Sequence, residues 1–152
     1  MKNQFRDLQL EQIDALLASW REAQLSARPR TGWVRAIRES LGMSAAAFAR
    51  HLGMTHAGVR KLESSEASDV ITLASLRKLA QALDCELHYA LVPRTSLKQQ
   101  KHDRAKAVAR ERLRPMSHSM ALEDQAVQEP LNQRQLEMTV KELLEGSGRE
   151  LW

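Results

Sequence analysis

The sequence is poor in the residues that cross-link a chain or anchor it in a membrane. Its one cysteine, Cys85, excludes an intramolecular disulfide, and a reducing cytoplasm is the expected location. No stretch has the basic start and apolar core of a signal peptide, and none reaches the roughly 18 apolar residues that a membrane span needs. We therefore expect no disulfide scaffold and no membrane partner.

Sheet formers and chain breakers are also scarce. Aromatic residues make up only 4% of the 152 residues, and there are four prolines and six glycines. Apolar residues reach 43%, which is enough to bury a core, and helix formers such as Ala, Leu, Glu and Arg dominate. The composition predicts a mostly α protein, and the length allows one ordinary domain or one small domain with extensions.

Charge is unevenly distributed along a chain whose net charge is only +4. Residues 28–63 carry seven Lys/Arg against two acids, residues 93–115 carry eight against two, and residues 116–152 carry three against seven. A basic run is most often a solvated helix face. The first block coincides with the motif described next, which favours a phosphate-binding surface.

That motif is SAAAFARHLGMTHAGVRKLE, from Ser44 to Glu63, which predicts two short helices joined by a tight turn. Ser44 is the expected N-cap of the first helix, Gly53 its C-cap, and Thr55 the N-cap of the second. We expect Glu63 to be a structural partner for a backbone amide or a nearby arginine. Two helices in this order are typical of a helix-turn-helix, whose second helix enters the major groove of DNA.

The second helix is predicted to turn a polar face outward. Four residues on this face are candidates for base contacts: His56, Ala57, Arg60 and Lys61. Arg60 and Lys61 can donate to guanine O6 and N7, and His56 can donate or accept. The Ala57 methyl can pack on a thymine methyl.

A second set of residues is predicted to contact the DNA backbone. These are Arg28, Arg30, Arg38, Ser44, Thr55 and Gly58. Arg28 and Arg30 lie in ARPRTG, a short linker and potentially flexible arm that Pro29 and Gly32 keep from being helical. Glycine inside a recognition helix costs about 1 kcal/mol relative to alanine. At Gly58, either the backbone approaches DNA closely or the helix forms weakly when free.

Apolar spacing predicts helices on both sides of this motif. The first runs from 5 to 24, and the next runs from Thr31 or Gly32 to about Leu41, with Trp33, Ile37 and Leu41 inward. After a polar loop that follows Glu63, Thr72 caps a core helix. Three C-terminal helices are predicted over 96–114, 117–128 and 132–145, with Pro115 interrupting the first.

Residues 85–92, CELHYALV, alternate in a pattern that predicts the only strand. With no second strand to pair its backbone groups, the expected partner is the same strand of another copy. Leu87, Tyr89 and Leu91 would form this ribbon, so we predict a homodimer. The predicted organisation is an N-terminal helix over 1–27, a DNA-binding domain over 28–93 and a helical extension over 94–152.

The segment from Trp33 to Leu91 resembles the lambda-repressor-like (XRE/Cro-type) helix-turn-helix domain. The whole chain, through runs such as RPRTGWVRAIRESLGMS, SHSMALEDQ and RELW, resembles the bacterial mobile mystery protein A family. The resemblance implies a sequence-specific regulator that represses its own operon and binds double-stranded operator DNA, expected to be palindromic. It also implies an antitoxin-type role beside a companion with a Fic domain.

A different class of function is a protein-binding inhibitor of the Fic-domain companion that acts through the C-terminal helices. Fic-inhibiting helices carry Ser/Thr-x-x-x-Glu followed by Gly/Asn, and Ser119 to Glu123 matches the first part. Asp124 stands in place of the Gly/Asn, and a five-residue match of this kind arises by chance in a chain of this length. The glutamate would pair with an arginine that otherwise binds nucleotide phosphate.

Residues for catalysis or cofactor binding form no recognisable set. His51 and His56 are five residues apart, which fits no common metal spacing, and one cysteine makes a structural zinc site improbable. No nucleophile, base and acid stand in a familiar order, and no glycine-rich phosphate loop is present. We expect no enzyme activity, no metal and no cofactor.

Overall fold

The computed structural model describes residues 2–120 and 125–152, and their regular structure is entirely helical. The helices are α1 (Lys2–Glu22), α2 (Trp33–Ser40), α3 (Ala45–Leu52), α4 (His56–Ala67), α5 (Leu73–Ala82), α6 (Leu97–Met120) and α7 (Gln125–Glu145). The predicted mostly helical class is confirmed. No strand occurs among the described residues.

The chain divides into two compact units. The central unit, Leu25–Ala90, contains α2 to α5, and the terminal unit, Met1–Gln24 with Leu91–Trp152, contains α1, α6 and α7. The segments at the two ends of the sequence therefore fold with each other. The domain boundaries predicted from the sequence stay predictions.

Each helix of the central unit contributes to one apolar core. Val34 of α2, Phe48 of α3, Val59 of α4 and Leu79 of α5 are each at most 3% exposed. Burying a side chain of this size stabilises a fold by about 1.5–3 kcal/mol. This core fixes the positions of the helix-turn-helix pair.

The inward face of α2 differs from the prediction. Trp33 is 48% exposed and Leu41 is 62% exposed, whereas Val34 and Arg38 are buried. The residues of α2 that face the core are therefore Val34, Ile37 and Arg38. An arginine stands where an apolar residue is usual. That arginine is tolerated because a buried carboxylate of α4 neutralises it.

Helix α4 is longer than the sequence indicated. The polar run after Glu63 was predicted to be a loop, but the helix continues to Ala67. The extra turn is held because Glu66 is only 2% exposed, and its carboxylate accepts hydrogen bonds from Trp33 N at 2.7 Å and Val34 N at 3.0 Å. Glu66 thus caps the N-terminus of α2 from another helix.

The terminal unit has its own smaller core. Ala105 and Ala109 of α6 pack with Val140 and Leu143 of α7 and with Leu151. Helix α6 begins where the carboxylate of Asp14 on α1 accepts from Leu97 N at 2.6 Å and Lys98 N at 3.0 Å. A distant carboxylate again caps a helix.

The described residues of the C-terminal extension, 94–120 and 125–152, form two helices, where the sequence predicted three over the extension. Helix α6 continues through Pro115 to Met120, and α7 runs from Gln125 past residues 128–132 to Glu145. The predicted interruption at Pro115 is therefore wrong. Proline lacks an N–H and so removes one backbone hydrogen bond from the helix, but the helix continues beyond it.

Residues 85–92, the predicted strand, form neither helix nor strand within the described chain. A strand exists as such only when it pairs with another, and the predicted partner belongs to a second copy. The ribbon stays a prediction.

Candidate nucleic-acid interface

The turn between α3 and α4 is built by local hydrogen bonds that the sequence predicted. Ser44 Oγ accepts from Ala47 N at 3.1 Å, and Thr55 Oγ1 accepts from Gly58 N at 3.1 Å. Gly53 ends α3 in the left-handed conformation at φ +66°, which glycine adopts without a steric cost. All three predicted caps are confirmed, and they fix where α4 starts.

The outer face of α4 carries the four predicted base-contacting residues. His56, Ala57, Arg60 and Lys61 are all exposed. Val59, at 0%, and Glu63, at 5%, lie on the inner side of the same helix. Among the described residues, the side chains of Arg60 and Lys61 form no ion pair or hydrogen bond. Their donors are therefore available to a ligand outside the chain.

A groove of about 560 Å³ lies beside this face, between α2, α3 and α4. It brings together residues from both predicted sets: Arg30, Ser44, His56 and Arg60. Arg35 and Ser64 also line the groove and were not among the predicted contacts. Arg35 is already paired with Glu39 at 2.8 Å, which makes it a weaker cation for a ligand. Sequence analysis did not identify Ser64 as a residue of this site because it predicted that the residues after Glu63 form a loop.

Arg38 was predicted to contact the DNA backbone, but its side chain is buried. Its Nε lies 2.6 Å from Glu63 Oε1 and its Nη2 lies 3.2 Å from Glu63 Oε2, and Nη1 donates to Met43 O at 2.7 Å. The hydrogen bond to Glu63 raises the pKa of Arg38 above its already high usual value. Arg38 therefore joins α2 to α4, and Glu63 is the structural partner of an arginine, as the sequence indicated.

Arg28 was also predicted to reach DNA from a flexible arm, but it is fixed to the end of α4. Its guanidinium donates to Glu66 O at 2.7 Å, to Ala67 O at 3.2 Å and to Asp69 Oδ1 at 2.6 Å. A cation at the C-terminus of a helix satisfies carbonyls that have no intrahelical partner. Arg28 thus has a structural role, whereas the neighbouring Arg30 is exposed.

Gly58 has a reason to be glycine that the sequence did not show. A Cβ at this position would lie 3.1 Å from Thr55 Oγ1 and 3.3 Å from Met54 Cε. The same Thr55 oxygen accepts the hydrogen bond that caps α4. The small residue therefore leaves room for the cap.

The residues predicted to form the dimer ribbon differ in exposure. Tyr89 is 61% exposed and Leu91 is 87% exposed, and Leu87 is half-buried. For the proposed inhibitory motif, Glu123 lies outside the described residues, and the structure gives no side-chain description of Ser119. The inhibitory motif therefore stays a prediction.

The second basic block, most of which lies on α6, is partly paired with acids of the terminal unit. Lys101 pairs with Asp7 of α1 at 2.8 Å, and Arg112 pairs with Glu150 at 3.5 Å. Lys98 adds a longer contact of 3.8 Å with Glu11. The side chains of Arg94, Lys106 and Arg110 in this block form no ion pair or hydrogen bond with any described residue. Unpaired cations therefore occur in both units.

Metal-binding clusters and membrane-spanning helices are absent from the part of the chain that the structure describes. Within residues 2–120 and 125–152, no three His, Cys, Asp or Glu side chains gather in a way that could hold a metal ion. None of the helices there combines the length and apolar character needed to cross a membrane.

The comparison with known families agrees with this geometry. Residues 34–89 match the helix-turn-helix family model, a range that covers all of α2 except its first residue, together with α3, α4 and α5. These residues therefore form a helix-turn-helix domain of the XRE type, which is a DNA-binding regulatory domain and not an enzyme family. No curated protein and no solved structure matches the chain.

Proposed function

We propose that this protein is a sequence-specific, double-stranded DNA-binding repressor of its own operon and that α4 reads the operator. The observation that carries the proposal is the outer face of α4, where Arg60 and Lys61 are exposed and unpaired among the described residues. The buried residues Val59 and Glu63 hold the opposite side of the helix in the core. A helix fixed in this way can present its donors to base edges without losing its own packing.

The phosphate contacts are proposed to come from the edge of the same groove. Arg30 is exposed and, among the described residues, forms no ion pair, and Ser44 and Thr55 lie at the N-termini of α3 and α4. Helix N-termini present backbone N–H groups and a partial positive charge to an anion. Gly58, in the first turn of α4, is a further proposed point of contact with a phosphate, with its own N–H used by the Thr55 cap. Arg28 and Arg38 are not proposed as phosphate contacts, because both guanidinium groups are already hydrogen-bonded within the protein.

The experiment is to measure binding of the full chain to its own upstream DNA and to random DNA at several salt concentrations. Operator recognition predicts a preference of about a thousandfold or more for the upstream duplex. The affinity for random DNA should fall steeply with salt, because that binding is mostly release of counterions. Equal affinity for both duplexes would contradict sequence-specific recognition.

We also propose a homodimer formed through residues 85–92. Among the described residues, Leu87, Tyr89 and Leu91 form no backbone–backbone hydrogen bond, and the last two side chains are exposed. Such a segment has both the free backbone groups and the apolar side chains that a second copy can cover. A two-fold dimer would match a palindromic operator.

A proline substitution tests this ribbon with little effect on a monomer. Tyr89→Pro removes one N–H and should convert the dimer to a monomer in light scattering, whereas deletion of 85–92 should do so completely. Tyr89→Ala is the matched control, because it removes the side chain and keeps the backbone donor. A dimer that survives both Tyr89→Pro and the deletion would rule out this interface.

An antitoxin role beside a Fic-domain protein is proposed from the sequence resemblance alone. In the alternative function, the C-terminal helices bind and inhibit that partner, with Ser119 and Glu123 as the contacting residues. Glu123→Gly should then abolish inhibition while leaving operator binding intact. Unchanged inhibition in that variant would remove the mechanism and leave the DNA-binding function standing.

A further inference from the structure

The terminal unit contains a cavity of about 620 Å³ that the DNA-binding function does not use. Its volume is within the range of roughly 300–1,000 Å³ that is usual for small-molecule sites. The walls come from α1, from the first turns of α6 and from the C-terminal segment. The residues on the two helices are Arg6, Leu10, Leu97, Gln100 and Lys101, and the segment contributes residues between Ser147 and Trp152.

The C-terminal wall presents the exposed aromatic ring of Trp152. Trp152 is 80% exposed, but the preceding Leu151 is fully buried. Arg104 Nε donates to Leu151 O, and the Arg104 guanidinium lies 6.0 Å from the centre of the Trp152 ring. An exposed aromatic ring beside an apolar wall can stack against the ring of a ligand. Leu10 and Leu97 make the facing wall apolar.

The charged residues that line the cavity are all cations. The cationic side chains are those of Arg6, Lys101 and Arg149, and no Asp or Glu of the described residues lines the cavity. Lys101 is paired with Asp7 at 2.8 Å, and Arg6 donates to Ser147 O. The Arg149 side chain forms no ion pair or hydrogen bond with any described residue, so its guanidinium is available. A guanidinium is suited to binding a carboxylate through two parallel hydrogen bonds.

Gly148 shows that the loop is shaped to hold Arg6 close. Its φ of +80° lies in the region that favours glycine, and a Cβ there would lie 3.0 Å from Arg6 Nη1. A larger residue would therefore be strained and would push the guanidinium away. Glycine at this position therefore leaves room for the Arg6 guanidinium beside the cavity.

We propose that this cavity binds a small aromatic carboxylate. Its ring stacks on Trp152 and packs against Leu10 and Leu97, and its carboxylate pairs with Arg149, with Arg6 adding positive charge nearby. The arrangement favours an anion because the free charged group at the wall is a cation. This proposal does not depend on DNA binding.

The first test is calorimetric titration of the full chain with 1-naphthoate, with Trp fluorescence as a second signal. We expect saturable binding at one site per chain. The cation 1-naphthylmethylammonium has the same ring system and the opposite charge, and it should bind about tenfold more weakly or worse. Absence of saturable binding by naphthoate at millimolar concentration, or equal affinity for the two ions, would overturn the proposal.

Matched variants then locate the site. Arg149→Glu should weaken naphthoate binding about tenfold, and Arg134→Glu makes the same charge change on α7 outside the cavity and should leave it unchanged. Trp152→Ala should also weaken binding, and it removes an exposed ring and no part of the core. Equal effects of the two arginine variants, or full binding by Trp152→Ala, would show that naphthoate binds elsewhere.

Discussion

Arg38 of α2 and Glu63 of α4 form an ion pair that is almost completely removed from solvent, with side chains 8% and 6% exposed. Two hydrogen bonds, at 2.6 and 3.2 Å, join the guanidinium to both carboxylate oxygens. Because Glu63 lies on the recognition helix and Arg38 on the preceding core helix, the pair fixes the two helices relative to each other. Arg38 and Glu63, two charged residues, are therefore part of the core.

Removing one partner of this pair should be strongly destabilising. Arg38→Met leaves Glu63 buried without its counter-charge, and we expect the free energy of unfolding to fall by about 3 kcal/mol. The double variant Arg38→Met/Glu63→Leu should recover most of that loss, because a buried apolar pair needs no compensation. Urea denaturation of the three proteins measures this. A double variant no more stable than Arg38→Met would show that the buried charge is not the cause.

Gly32→Ala should be more damaging than the same change at Gly42. Gly32 has φ +86° and ψ 160°, a region used almost only by glycine, and an added Cβ would lie 2.8 Å from the Glu66 carboxylate. We expect a loss of about 3 kcal/mol. Gly42 also has a positive φ, of +67°, but nothing lies within 4 Å of its would-be Cβ, so about 1 kcal/mol is expected. Thermal or urea unfolding measures the stability of both variants. Equal losses would mean that the clash with Glu66 adds nothing to the cost at Gly32.

Arg28 and Arg30 should affect different properties even though they are two residues apart. Arg28→Ala removes the hydrogen bonds to the end of α4, so stability should fall by about 1–2 kcal/mol. Arg30→Ala should leave stability unchanged, weaken binding to all DNA sequences alike and reduce the salt dependence by about one phosphate contact. Urea unfolding and DNA titrations at several salt concentrations separate the two effects. An Arg28→Ala variant of unchanged stability, or an Arg30→Ala variant of reduced stability, would contradict these roles.

Substitutions on the outer face of α4 should change specificity. Lys61→Ala or Arg60→Ala should cost about 1–3 kcal/mol at one operator position and relax the preference there. Arg134→Ala, which removes an exposed cation from α7, is the control and should change neither affinity nor preference. Competition assays with operators mutated one base pair at a time measure this. Equal losses on operator and random DNA would show that these side chains contact only phosphate.

The pKa of Glu39 depends on the hydrogen bond that Arg35 donates to it at the edge of the groove. The hydrogen bond from Arg35, followed by the charges of Arg35 and Arg38, lowers the pKa of Glu39 below its usual value. The associated stabilisation is therefore present above the unfolded-state pKa and is lost as the pH falls through the lower folded-state pKa. In Arg35→Gln, the Glu39 pKa measured by NMR titration should move upward. An unchanged pKa would mean that Arg35 does not hold this carboxylate in solution.

Much of the central unit could be predicted because its signals are local. The caps at Ser44, Thr55 and Thr72 each bond a backbone N–H three residues later, so the residue type and its position suffice. The apolar spacing around Phe48 and Val59 likewise follows from the helical period. These features were enough to predict the helix-turn-helix and the outer face of α4.

Other predictions failed where polar partners are far apart in sequence. The C-terminal end of α4 depends on Glu66, whose carboxylate accepts from two backbone N–H groups that lie 33 and 32 positions earlier in the sequence. The structural role of Arg28 depends on two carbonyl groups that lie 38 and 39 positions later. Pro115 was predicted to interrupt a helix that in fact continues. Propensity and periodicity are properties of neighbouring residues and contain no information about such partners.

The sequence by itself determined the helical class, the two-helix motif and the residues that this motif exposes, because backbone preferences, caps and the 3.6-residue period act over a few residues. Only the tertiary structure decided which charged side chains remain available. Packing placed Arg38 against Glu63, 25 residues away, and Asp14 at the start of α6, 83 and 84 residues away. Arg60 and Lys61 found no such partner among the described residues. A charge is used internally or offered to a ligand according to which groups the fold brings within hydrogen-bonding distance.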